Sequence, residues 1–475
     1  MIKKLLTYGV GSVGSAVIGI LTVPFLTRML SPAEYGKGTL FITIISLLFY
    51  FCNIGLVQGY ERFYYDKNYA INKQRLFFQT LSITLSVFCF VSFVMFFFKD
   101  LFLKFFFQTN NLQIFYLLIL ALFFYILNTH FILVLRMKQQ ALLFSFAQIF
   151  NGLIYFGLLV LILYIYQFKS YLLMIYSQVT MLLFVSIFTG LFNIKNLIKF
   201  KFKEVLNTKE LKTLLVYSWP FLFSFTITWG MQYIDRIFLI QLSSFTELGI
   251  YSASFILIAP LLLFQNAFAI LWVPIGMNLI INHSSDGRLI YSVVFKNITS
   301  VMFICIATVY CFRDFIPLFL GDSFSQSSGI FIWLLFIPLF TICDQLLNAG
   351  IFVSKKTYWS IVASICGFIT NILLCLLLIP TFGAEGAAIA LVIGNFIYIL
   401  IKMLSCNLLY KYHIDYIHFF FSLAMFTICL ILSDNKILSW FVIGLFMIYQ
   451  ILKVFNKTNV QYLKYSMKVL RKVDK

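Results

Sequence analysis

The segment Leu112-QIFYLLILALFFYILNTHFILV-Leu135 contains no Asp, Glu, Lys or Arg. As an α-helix rising 1.5 Å per residue it would be about 36 Å long, enough to cross a hydrocarbon layer of about 30 Å. The run is continuous rather than alternating, which excludes a barrel strand. A helix also satisfies its own backbone N–H and C=O groups where lipid offers no partner. Comparable runs occur at 5–29, 38–59, 77–98, 143–166, 171–194, 214–242, 250–281, 293–312, 330–353, 358–379 and 387–409. Two more, 417–432 and 437–452, approach the lower length limit for a span. The reading is an all-α polytopic membrane protein with 12 to 14 transmembrane helices.

Composition agrees. Of 475 residues, 62% are hydrophobic and only 11% charged, too few to cover a soluble surface. The same figures exclude a disordered chain and a disulfide-stapled secreted scaffold. The nine cysteines stand in apolar stretches with no C-x-x-C pair, and the four histidines are scattered, so no metal or redox site is expected. The first run is too long, and lacks the cleavage site, for a removable signal peptide.

The formal charge of +19 is explained by position. With the N-terminus inside, 27 of the 35 basic residues fall at cytoplasmic ends, including Lys402 and the tail from Lys453; seven fall outside, and Arg236 lies within a span. This is the positive-inside pattern. It places both termini in the cytoplasm and makes a nucleic-acid partner unnecessary. The chain divides into an N-terminal lobe of six helices (1–194), a basic cytoplasmic linker (195–213), a C-terminal lobe of six (214–409), and helices 13 and 14 with a basic tail (410–475).

Two motifs are decoys. Gly9, Gly11 and Gly14 fit G-x-G-x-x-G, but no strand precedes them and an apolar run surrounds them, so close helix packing is the better reading. Around Lys37 a partial phosphate loop has Ser31 and Gly38 where the motif needs glycine and a hydroxyl residue. A weak repeat is more informative: Ser31, Glu34 and Gly36 recur at an offset of 213 as Ser244, Glu247 and Gly249. Paired six-helix halves of this kind occur in secondary transporters.

Charges inside the spans are the strongest functional signal. Asp235 and Arg236 are adjacent in the seventh span. They point about 100° apart on a helix and need interhelical partners or a wet cavity. Asp344 lies in the tenth span with Gln345 and Asn348 one turn on; a cavity carboxylate and a structural hydrogen bond are equally good readings. Gln58 and Arg62 sit at the inner end of the second span, Arg62 as an orientation anchor or as a phosphate-gripping fork. Further amides, including Asn53, Gln148, Asn266, Asn371 and Asn395, join helices or line a hydrophilic path. Pro24, Pro220, Pro260, Pro274 and Pro338 are candidate kinks.

The stretch Pro24-FLTRMLSPAEY-Gly36, the Asp235-Arg236 span and Glu247-LGI-Tyr251 resemble the Wzx-type polysaccharide flippases of the multidrug/oligosaccharidyl-lipid/polysaccharide exporter superfamily. Span count, charge layout and halves extend the resemblance over the whole chain. It implies two lobes around a central cavity in the bacterial inner membrane. Alternating access there would move undecaprenyl-diphosphate-linked O-antigen or capsule repeats outward. Arg236, Arg62, Asp235, Asp344, Gln58 and Asn348 would be cavity residues, and Arg28, Glu34, Gly36, Glu247 and Gly249 an outer-rim motif. No cofactor is implied; H+ or Na+ is a candidate coupling ion, and a polymerase and chain-length protein are candidate partners. The rival readings are an ion-coupled multidrug cation antiporter of the same superfamily and a non-transporting scaffold or membrane enzyme of glycan assembly. The longest loop is short, basic and cytoplasmic, which disfavours an enzyme.

Overall fold

The computed structural model describes residues 2–66, 73–167, 169–198, 208–265, 284–354, 358–410, 415–432 and 436–455, with isolated residues between 266 and 283 and at 356. Asn266, Pro274, Lys355, Lys411, residues 199–207 of the basic linker and the tail from 456 lie outside the described residues. Among those described there is no strand.

The chain divides into two compact units, Met1–Ser252 and Ala253–Lys475. The first contains α1 (Ile2–Met29), α2 (Pro32–Asn53), α3 (Leu56–Phe63), α4 (Lys73–Phe97), α5 (Lys99–Phe107), α6 (Leu112–Met137), α7 (Ala141–Tyr166), α8 (Tyr171–Ile198), α9 (Thr208–Ser218), α10 (Pro220–Leu242) and the start of α11 (Phe245–Leu257). The second contains α12 (Ser284–Cys311), α13 (Ser327–Leu334), α14 (Phe336–Ser354), α15 (Tyr358–Tyr410), α16 (Tyr416–Ile431) and α17 (Lys436–Val454). Residues 214–252 fall within the first of these units.

Among the described residues, eleven helices are long and apolar enough to cross a membrane, or twelve with the bent pair Phe245–Leu257 and Ala259–Gln265. The chain is a multi-pass membrane protein. One of the eleven, Tyr358–Leu409, is 52 residues long, twice what a bilayer requires. It breaks at Gly383, whose φ of 54° and ψ of −128° no helix contains. Dividing it there, and adding the bent pair and the shorter Tyr416–Ile431, reaches the upper end of the expected range.

Helix ends follow local chemistry. Ser31 accepts the Glu34 N–H at 3.4 Å and Pro32 opens α2, while Ser244 accepts the Glu247 N–H at 3.2 Å at the start of α11. Both ends of the 213-residue repeat are therefore the same S-x-x-E cap. Pro220 opens α10 after a break at Trp219, Pro260 follows the 44° bend, and Pro338 sits in the first turn of α14; Pro24 lies within an unbroken helix. Two glycines of the decoy fingerprint pack as helix-contact residues: a Cβ on Gly11 would lie 2.5 Å from the Cα of Ser145 in α7, and one on Gly14 would lie 3.0 Å from Ile149.

The second expected span ends early. Ile54 and Gly55 are left-handed, with φ of 47° and 73°, a conformation β-branched residues rarely adopt. A Cβ on Gly55 would stand 2.4 Å from the carbonyl oxygen of Ser218, so glycine is required there. Asn53 accepts the Val57 N–H at 3.2 Å across the break. Gln58 and Arg62 consequently lie on the separate helix α3 and not on the end of α2.

Candidate functional site

A row of small and hydroxyl residues, Gly36, Thr39, Thr43, Ser46 and Tyr50, recurs every three or four positions along α2 and so occupies one face. The hydroxyls of Thr39, Thr43 and Ser46 each donate to a backbone carbonyl of α2 itself. Thr39 donates to the Gly36 carbonyl at 2.9 Å and to Ser252 Oγ of α11 at 3.2 Å. Trp229 Nε1 of α10 donates to Ser46 Oγ at 2.9 Å, and the Tyr50 ring stacks on Phe225, centroids 5.5 Å apart.

The intramembrane charge pair of α10 meets this row. Asp235 is fully buried and accepts from the Tyr251 hydroxyl of α11 and, at 2.9 Å, from the Arg236 backbone N–H. Arg236 turns the other way: Nη1 donates to Thr43 Oγ1 at 3.0 Å, and the guanidinium carbon lies 4.9 Å from the Tyr233 ring centroid. Both charges have the interhelical partners expected of them, and neither is left to face lipid alone. The guanidinium is half-buried and carries five N–H donors on a fixed planar fork. It is thus a cationic group held within a span by Thr43.

The two repeat motifs meet beside this cluster. A Cβ on Gly36 would stand 2.3 Å from the Phe245 carbonyl oxygen, and one on Gly249 would stand 1.8 Å from that of Pro32. Gly36 and Gly249 therefore serve helix contact. Glu34 accepts the Tyr171 N–H at 2.6 Å at the start of α8 and lies 3.7 Å from Lys37. A carboxylate at a helix N-terminus is a fold role. The Glu247 N–H is capped by Ser244 Oγ at the start of α11, and Arg28 is exposed in the last turn of α1.

On α3, Arg62 is exposed and lies 3.8 Å from Asp66, while Glu61 pairs with Arg136 at 3.0 Å. One oxygen of Gln58 is buried.

In the second unit, Asp344 of α14 accepts from Tyr398 Oη at 2.6 Å, from Asn348 Nδ2 at 2.9 Å and from Lys402 Nζ. Lys402 also donates to Asn348 Oδ1 at 2.7 Å. The charge count placed Lys402 at a cytoplasmic end, yet it is 1% exposed and bound to an intramembrane carboxylate. Its apolar flanks, Tyr398-ILI and Met403-L, were the signal for burial. Thr43, Tyr251 and Tyr398 carried no such signal, because hydroxyls are common in these spans. Among the described residues, no three His, Cys, Asp or Glu side chains form a metal set.

These features define a helical membrane protein with charged and polar groups held inside its spans, and comparison with known folds narrows it. The structure described as "Lipid II flippase MurJ, inward closed conformation" matches with a TM-score of 0.69 and 13% identity, over 95% of this chain and 99% of its own. An inward-facing multidrug resistance MATE family transporter of the MOP superfamily matches at 0.56 and 12%, over 84% and 94%. A mutant of the Vibrio cholerae MATE transporter VcmN matches at 0.56 and 12%, over 86% and 95%. The chain has the fold of these proteins. No curated protein matches its sequence. A family model described as "Polysaccharide biosynthesis protein" matches residues 1–276, and the chain belongs to that family.

Proposed function

We propose that the protein is a flippase that carries undecaprenyl-diphosphate-linked oligosaccharide repeats, of O-antigen or capsule type, from the cytoplasmic to the outer face of the bacterial inner membrane. The observation that carries this reading is Arg236: a guanidinium fixed inside a span by Thr43, in a chain of a polysaccharide biosynthesis family. Moving a pyrophosphate and sugars through hydrocarbon costs several kilocalories for each unmatched polar group. Arg236 holds phosphate charge, and the polyprenyl chain stays in lipid. The coupling ion, H+ or Na+, engages one of the intramembrane carboxylates, Asp235 or Asp344. Both termini are cytoplasmic, as the basic excess at that face requires.

A cation antiporter on the same fold is disfavoured by the same residue, since a bound drug cation avoids a fixed guanidinium. Cells carrying Arg236→Ala accumulate lipid-linked repeats in the inner leaflet and lose surface glycan. Unchanged surface glycan in that strain would overturn the assignment. Purified protein moving such a lipid across vesicles would separate transport from a scaffold role.

A further inference from the structure

The cluster around Asp344 is a densely hydrogen-bonded ionic site among the described residues. The Lys402 ammonium is essentially inaccessible, at 1% exposure. It has two oxygen acceptors, Asp344 Oδ1 and Asn348 Oδ1, and lies 4.8 Å from the Tyr398 ring centroid. Tyr398 donates to Asp344 Oδ1 and Asn348 Nδ2 donates to Asp344 Oδ2, so both carboxylate oxygens are engaged.

A carboxylate, an amide oxygen and a phenol oxygen gathered on two helices are the donor set that a hard monovalent cation takes. Here the position such an ion would occupy, between Asp344 Oδ1 and Asn348 Oδ1, holds the ammonium. The side chain spans the gap from α15 to α14, and its charge neutralises Asp344 without any ion from solution. A lysine buried at that depth as a mere orientation anchor would instead extend its head toward the interface.

We infer that Lys402 is a resident cation, filling the seat at Asp344 that would otherwise bind Na+, so that wild-type protein binds no Na+ there and removal of the lysine amine opens a Na+ site. In Lys402→Ala, the vacated volume admits a hydrated Na+ beside Asp344 Oδ1, Asn348 Oδ1 and the Tyr398 hydroxyl. The inference narrows the choice of coupling ion and holds whatever lipid the protein carries, so its test contains no glycan lipid.

The experiment is thermal unfolding of purified full-length protein in detergent at pH 8, with NaCl exchanged for choline chloride at constant ionic strength. Wild type is expected to melt at the same temperature in both salts. Lys402→Ala is expected to melt about 2 to 4 °C higher in NaCl, and Lys402→Ala with Asp344→Asn to lose that difference. A folded Lys402→Ala protein indifferent to Na+ would overturn the inference. So would a wild-type stabilisation by Na+ that Asp344→Asn abolishes. This second comparison does not involve the Lys402 variant and decides the matter if that variant fails to fold.

Discussion

Thr39 and Ser252 share a hydrogen bond of 3.2 Å across 213 residues of sequence, the same offset that separates the two S-x-x-E caps. Equivalent positions of the repeat are in direct contact, as Gly36 and Gly249 also are, with Gly249 N only 2.9 Å from the site of a Cβ on Gly36. Contact between equivalent positions is what a local two-fold relation between α2 and α11 produces where its axis passes.

Gly249→Ala should be among the most damaging single changes in the chain. The added methyl would stand 1.8 Å from the Pro32 carbonyl oxygen, a backbone atom that cannot rotate away. Overpacking of this kind costs about 1 to 3 kcal/mol or more, so a large fall in melting temperature or in yield of folded protein is expected. A substitution at Gly9, which has open space around it, should have no such effect.

Thr43→Val keeps the shape of the side chain and removes one acceptor of Arg236. Hydrogen bonds to charged groups contribute about 1.5 to 3 kcal/mol. The valine variant should therefore melt lower than wild type, with reduced glycan export, and Thr43→Ser should restore both. Equal behaviour of valine and serine would show that the guanidinium is held by other groups.

Tyr251→Phe leaves the carboxylate of Asp235 buried and short of one donor, at a cost of about 1 to 3 kcal/mol. Combined with Asp235→Asn the loss should be smaller than the sum of the single losses, because the hydroxyl and carboxylate act as one unit. A double-mutant cycle on thermal unfolding checks this.

Asp415 caps α16 by accepting the His418 N–H at 3.0 Å and pairs with Lys296 at 2.8 Å. Partial burial alone would raise its carboxyl, but Lys296 and the His418 N–H outweigh it and hold the group below the usual carboxylate range. The pair therefore stabilises the protein fully above the unfolded value of about 3.9 and loses its contribution as pH falls through the lower folded value. Asp415→Asn should lower the melting temperature at pH 7, with the gap to wild type closing below about pH 4.

The spans and the charged positions Asp235, Arg236 and Asp344 were legible in the sequence, because a long uncharged run and a charge inside it have few alternative explanations. Partners were not. Thr43 and Tyr251 are chosen by how α2, α10 and α11 cross, and crossing depends on Gly36 and Gly249, whose significance appears only once the helices meet. The break after Asn53 was hidden because Ile54 is a poor residue for a left-handed turn and signals none. The pairing of Lys402 was hidden for a different reason: a lone lysine seven residues before the end of the 387–409 run looks the same to charge counting whether it anchors a helix end or neutralises a buried acid.

Asp344 leaves the ribosome 58 residues ahead of Lys402. Until that lysine emerges, a helix bearing an unneutralised carboxylate would enter lipid at a cost of about 2.5 to 3.5 kcal/mol near the bilayer centre. The pairing with Lys402 offsets that cost only once the later helix has arrived beside the earlier one. The two segments are thus coupled in their insertion energetics, although 58 residues separate the charges.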